Sequence, residues 1–156
     1  MGSSRWMQSA NAVESLNERY PAVPDSVPDA RKELTAFATG AGMRGQQLEG
    51  LRLVVSEAVS NAVLHAYEGE KGEIQVTAAV LPGELWILVA DEGAGLRAER
   101  SENRGLGLGL GWMAQFSDGL TLLTRSSGGL EVRLRFELFE ATGEAGPSGA
   151  RVASLC

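Results

Sequence analysis

Residues 85–90, Leu-Trp-Ile-Leu-Val-Ala, are apolar at every position, and this run constrains the fold more than any other part of the chain. A strand with one face in water alternates apolar and polar side chains. An unbroken apolar run of strand length has cover on both faces and belongs at the centre of a sheet. The segment before it alternates, with Ile74, Val76, Ala78 and Val80 on one face, and Leu81-Pro82-Gly83-Glu84 supplies turn residues. A hairpin with a central second strand follows. Directly after that strand stand Asp91, Glu92, Gly93, Ala94 and Gly95.

Around this hairpin the remaining elements are short. Residues 20–26 carry two prolines and read as an edge strand and turn. Ser26 is placed to cap a helix carrying Ala30, Leu34, Phe37 and Ala38, which Gly40 and Gly42 end. A second helix spans about residues 46–67, its core face formed by Leu48, Leu51, Val55, Ala58, Val59, Ala62, Val63 and Ala66 at 3- and 4-residue steps. A short helix is expected at residues 112–116. Residues 120–124 and 130–136 then form a second hairpin around Ser126-Ser127-Gly128-Gly129. The expected architecture is α+β: a two-layer sandwich of a mixed, mostly antiparallel sheet with helices on one face. One domain over residues 16–139, between flexible segments 1–15 and 140–156, accounts for the 156 residues.

Composition narrows the function classes. Net charge is −6 with two lysines, Lys32 and Lys71, which argues against direct nucleic-acid binding. The single cysteine, Cys156, and the single histidine, His65, leave no internal disulfide, no cysteine-based metal site and no histidine-rich zinc site. No stretch reaches the ~20 apolar residues of a membrane helix, and no signal-peptide pattern opens the chain. No membrane association and a cytoplasmic setting are expected. Glycine is in excess, 20 of 156 residues against an average near 7%. Six of the twenty lie between Gly93 and Gly111, where tight turns or close approach of backbone to a ligand would account for them.

Two polar constellations carry chemistry. Glu57, Asn61 and His65 recur at i, i+4 and i+8 along the second helix, forming one stripe flanked by core positions. Such a triplet equally describes a solvated helix face. It also places an amide oxygen able to bind a divalent cation at Asn61, with a carboxylate able to accept a proton one turn earlier at Glu57. Asp91, at the end of the central strand, is placed to accept a hydrogen bond from an exocyclic amine such as that of adenine. Gly105, Gly107, Gly109 and Gly111 alternate with leucines before a helix, an arrangement that can turn backbone N–H groups toward an anion. Neither the Gly-x-x-x-x-Gly-Lys-Ser/Thr phosphate loop nor the Rossmann glycine fingerprint is present.

Taken together, residues 56–67 (Ser-Glu-Ala-Val-Ser-Asn-Ala-Val-Leu-His-Ala-Tyr), 91–95 (Asp-Glu-Gly-Ala-Gly) and 105–110 (Gly-Leu-Gly-Leu-Gly-Leu) resemble, in order and spacing, the gyrase/Hsp90/histidine-kinase/MutL ATP-binding superfamily. Within it the chain is most similar to the bacterial anti-sigma-factor serine kinases, the RsbW-like group, over about residues 20–136. The resemblance implies a Bergerat-type sandwich binding ATP and Mg2+. It implies that Asn61 coordinates the metal, that Asp91 reads adenine, and that Gly93 and Gly95 floor the pocket. Gly105, Gly107 and Gly109 would wrap the phosphates, with His65 and Arg104 near them, and Glu57 would be the catalytic base.

The implied activity is phosphorylation of a serine on an anti-sigma-factor antagonist of STAS type by an ATP-dependent anti-sigma factor, which thereby controls sigma-factor release and transcription. Homodimerisation is common in such proteins. The chain departs from the family pattern in two places: a short segment between Gly95 and Gly105, and Leu130 where a threonine usually follows glycine. These motivate an alternative, a non-catalytic module that sequesters a sigma factor or another partner with nucleotide structural or absent.

Overall fold

The computed structural model describes residues 12–67, 70–93 and 106–139. Among these, five strands form one sheet: β1 (Glu14–Pro21), β2 (Glu73–Leu81), β3 (Glu84–Asp91), β4 (Gly119–Thr124) and β5 (Leu130–Glu137). Three helices, α1 (Ser26–Gly40), α2 (Gly45–Asn61) and α3 (Leu106–Phe116), cover it, and α2 runs on into a π turn, Ala62–Ala66. The strand order is β1-β2-β3-β5-β4 and all four ladders are antiparallel, so the antiparallel majority expected of the sheet is complete among the described residues. The apolar run at 85–90 lies in β3, the middle strand.

Both faces of β3 are buried, as its composition requires. Leu85, Ile87 and Val89 face the helices, while Leu88 joins Ala79, Trp86 and Ala12 in a small cluster on the opposite face. The main core lies between sheet and helices. Ala30, Leu34 and Ala38 of α1 and Leu51, Val54, Val55, Ala58 and Val59 of α2 meet Ile74, Val76, Ala78, Val132, Leu134 and Phe136. Burial of these side chains, each worth roughly 1.5–3 kcal/mol for the larger ones, is the dominant force holding the two layers together. Val54 belongs to this core although the 3- and 4-residue spacing did not single it out.

Three boundaries differ from expectation for physical reasons. The edge strand begins at Glu14, because the backbone of residues 14–21 pairs with β2 along its whole length, from Glu14↔Val80 to Pro21↔Glu73. Glu14, Glu18 and Arg19 point charges along this exposed edge, a common protection against further pairing. Ser26 does not cap α1. Asp25 holds that position without a side-chain cap, and the buried Ser26 hydroxyl donates to Pro21 O at 2.6 Å, tying the helix start to the end of β1. Finally, α3 begins at Leu106 rather than near Trp112.

Candidate functional site

The polar stripe of α2 lies half-buried along the groove between α2 and α3. Glu57 and Asn61 sit on the last turns of α2, and His65 follows in the π turn. A π turn accommodates one residue more than an α turn and is frequent at functional sites. Gly109 of α3 faces this stripe closely: a methyl group there would stand 3.1 Å from Glu57 Oε2 and 3.4 Å from Asn61 Nδ2. The side chain that Gly109 lacks is therefore what lets α3 approach both polar groups.

Asn61, His65 and Asp91 line one pocket, whose remaining wall is apolar: Ala58, Ala62, Ala66, Val89, Leu110, Met113, Leu122, Leu130 and Val132. A mostly apolar cleft with a few convergent polar groups has the make-up of a small-molecule site. Asp91 is 6% exposed at the end of β3. Its Oδ1 accepts hydrogen bonds from the backbone N–H of Gly93 at 2.9 Å and of Leu130 at 3.3 Å. Burial raises the carboxyl pKa above the ordinary value of 3.8. The two N–H donors and the nearby Arg125 oppose that rise, and Glu92 adds to it.

The strand end that carries Asp91 is gripped on several sides. Tyr67 Oη donates to Glu73 O at 2.6 Å and accepts from Glu92 N at 2.9 Å, joining the π turn to β2 and β3. Arg125 forms an ion pair with Glu92 at 2.5 Å and donates to Asp91 O at 3.3 Å. Two glycines permit this closeness. A Cβ on Gly93 would fall 1.9 Å from Ala66 O, and one on Gly129 would fall 1.9 Å from Asp91 O.

The model of the histidine kinase-like ATPase domain matches residues 20–136. Serine-protein kinase RsbW of Bacillus velezensis is 30% identical over 145 residues, covering 92% of this chain and 86% of its own. The chain belongs to the RsbW-like histidine kinase-like ATPases. The RsbW of Bacillus subtilis is 29% identical over 144 residues, covering 92% of this chain and 85% of its own. A crystal structure of the RsbU and RsbW domains of a Mycobacterium tuberculosis protein superposes with a TM-score of 0.61 over 80% of this chain and 32% of that one, at 21% identity, which is a likeness of fold.

In this RsbW-like chain the fold brings Glu57, Asn61 and Gly109 together, and Asn61, His65 and Asp91 onto one pocket. Gly107 and Gly109 belong to a helix and not to an open loop. A helical backbone spends its later N–H groups internally, so any phosphate contact here would draw on the free N–H groups of the first turn of α3. The missing side chain of Gly93 is accounted for by the carbonyl of Ala66. Gly95, Arg104 and Gly105 lie outside the described residues. Tyr67 and Arg125 carry no local signal in the sequence: Tyr67 ends a motif, and Arg125 adjoins a turn whose partner strand is distant in sequence.

An ATPase-type domain implies a nucleotide ligand. Among the described residues no group of three or more His, Cys, Asp or Glu is placed to hold a metal. A cation at the Asn61 oxygen would complete its shell with phosphate and water oxygens, as magnesium commonly does. No helix among the described residues is long and apolar enough to cross a membrane.

Proposed function

We propose that this protein is an anti-sigma factor with protein-serine kinase activity, acting on a serine of an antagonist protein of STAS type. The observation that carries the reading is the convergence of Asn61, His65 and Asp91 on one pocket, with Glu57 one helical turn from Asn61, in an RsbW-like chain. Asp91 accepts the exocyclic amine of adenine, and the apolar wall of Val89, Leu122, Leu130 and Val132 takes the face of the base. Asn61 holds Mg2+, which when bound neutralises phosphate charge. The half-buried His65 and the start of α3 stand on the phosphate side, the role that the family pattern also assigns to Arg104 and Gly105.

Phosphoryl transfer depends chiefly on positioning and charge. Glu57 accepts the proton of the partner's serine hydroxyl as its oxygen bonds to the γ-phosphorus. The bond from that phosphorus to the β-phosphate oxygen breaks, leaving ADP and phosphoserine. Phosphorylation of the antagonist then governs whether the protein holds the antagonist or a sigma factor.

The test is incubation with γ-labelled ATP, magnesium and the antagonist encoded with it. Label on the antagonist serine, lost in Glu57→Ala, supports the kinase; none with wild type refutes it. One observation favours a second reading, a binding module without turnover. Leu130 presents an apolar side chain to the pocket where a hydroxyl would contribute a hydrogen bond. Calorimetry with ATP and magnesium bears on the choice: no nucleotide binding, with partner binding intact, favours the module.

A further inference from the structure

The Asp91 carboxylate sits at the end of β3, and the polar groups packed around that strand end come from three directions. His65 and Tyr67 approach from the π turn and the residue after it, Glu92 from its own strand end, and Arg125 from the turn between β4 and β5. Arg125 brings a guanidinium to this strand end. Its side chain is 15% exposed, so its charge is incompletely screened. The turn presents it rigidly: Arg125 N donates to Gly129 O at 2.7 Å and Gly128 N to Arg125 O at 2.9 Å, with Gly128 at φ +99°. From that turn the guanidinium reaches both the Glu92 carboxylate and the Asp91 carbonyl.

We infer that Arg125 is a positioning residue for Asp91, fixing the end of β3 against the β4–β5 turn through the Asp91 carbonyl and Glu92, and holding a positive charge close to the Asp91 carboxylate when it meets the nucleobase. The inference rests on the nucleotide reading of the pocket. Its physical content is a pair of opposed effects. Burial disfavours the Asp91 anion and Glu92 adds to that penalty; the N–H groups of Gly93 and Leu130 oppose it most, and the Arg125 charge opposes it further. The anion is the form that accepts strongly from an amine. Arg125 thus does two separable things: it clamps backbone, and it adds a favourable charge for the acceptor. Pairing with Glu92 holds the guanidinium in place at the cost of part of its field.

Two variants that break the same ion pair therefore have opposite effects on Asp91. The experiment follows the Asp91 carboxyl 13C resonance against pH in the free protein. It also measures ATP binding in the presence of magnesium between pH 4.5 and 8.5, for wild type, Arg125→Gln, Arg125→Lys and Glu92→Gln. The nucleotide's own ionisations are common to all four proteins and drop out of the comparison. Arg125→Gln is expected to raise the Asp91 midpoint by roughly half a unit or more, with the acid limb of ATP binding moving upward alongside it. Arg125→Lys restores most of the wild-type midpoint, and Glu92→Gln lowers it. If both Gln variants weaken binding while leaving the midpoint in place, Arg125 is a structural residue only and the inference is overturned. Should Arg125→Gln not fold, Glu92→Gln decides, since an unmoved or raised midpoint there also overturns it. Failure of wild type to bind ATP at pH 8 overturns the nucleotide reading, and this inference with it, whatever the midpoints do.

Discussion

The carboxylate of Asp91 accepts a hydrogen bond from the backbone N–H of Leu130 at 3.3 Å, joining the end of the central strand to the start of β5. Gly93 donates to the same oxygen, Oδ1, at 2.9 Å. With one oxygen so engaged, the other is the natural acceptor for a ligand. Asp91 thus serves the sheet and the pocket with different atoms.

Replacing Asp91 by Asn keeps the shape and the acceptor for both N–H groups but removes the charge. ATP affinity is expected to fall about 10- to 100-fold, the usual worth of a charge-assisted hydrogen bond, as read by calorimetry at pH 7.5. Stability should move the other way. Because burial raises the folded-state pKa of Asp91, its favourable contribution is present below the unfolded pKa and is lost as pH rises through the raised value. Asp91→Asn should therefore melt at or above the wild-type temperature at pH 7.5, with the difference shrinking toward pH 4. A variant that melts lower at pH 7.5 would contradict this.

Glu57 is half-buried on α2, and glutamine keeps its shape while removing its charge, so Glu57→Gln should fold and bind ATP within about twofold of wild type while phosphoryl transfer drops by roughly 10²- to 10⁴-fold. Rapid-quench transfer assays beside nucleotide titration measure the two quantities separately. Parallel losses in both would assign Glu57 to binding and not to proton transfer.

Gly109→Ala places a methyl 3.1 Å from Glu57 Oε2 and 3.4 Å from Asn61 Nδ2. Alanine favours the helix by up to about 1 kcal/mol, so the melting temperature should hold or rise. Turnover should still fall about tenfold or more, because small displacements of reacting groups are costly. Unchanged turnover would show that the α2–α3 approach is not needed for chemistry.

Gly129→Ala and Gly40→Ala form a matched pair. The first methyl would overlap Asp91 O at 1.9 Å, with Glu92 Cα at 2.8 Å, and neither backbone atom can swing aside. A loss of about 1–3 kcal/mol or more in denaturant unfolding is expected. At Gly40, the last residue of α1, a methyl would meet nothing within 4 Å beyond its own turn of helix, so alanine should be neutral or stabilise by about 0.4–1 kcal/mol.

The sheet was legible because side-chain alternation encodes it directly: Ile74, Val76 and Ala78 face the core, and only a central strand could bury Leu85 to Ala90 on both sides. The core face of α2 was equally plain. The π turn was not, since inserting one residue near the end of a helix leaves the apolar spacing almost unchanged, and Ala62 and Ala66 are buried either way. Ser26 looked like a helix cap because serine commonly is one; here the end of β1 offers its hydroxyl a nearer acceptor in Pro21 O. The leucines between Gly105 and Gly111 matched a loop or a helix. Packing of Leu110 and Met113 into the main core accompanies the helical choice. Of the site, the residues on α2 and β3 were visible in order and spacing. The Arg125 clamp was not, because the Glu92 it pairs with lies 33 positions earlier and depends on how β5 returns beside β3.

The π turn at Ala62–Ala66 also makes the chain unequally tolerant of length changes. Because this turn holds one residue more than α-helical winding would, a single-residue deletion inside it lets the segment close to an α turn while α2 and Tyr67 keep their places. The same deletion in the middle of α2 has no slack to draw on: everything beyond it would turn by roughly 100° about the axis and retreat by about 1.5 Å. Tyr67 would then swing away from Glu73 O and Glu92 N, and the Ala66 carbonyl would leave the niche that Gly93 keeps clear. A one-codon deletion is absorbed at the end of this helix and uncouples it from both strands when it falls earlier.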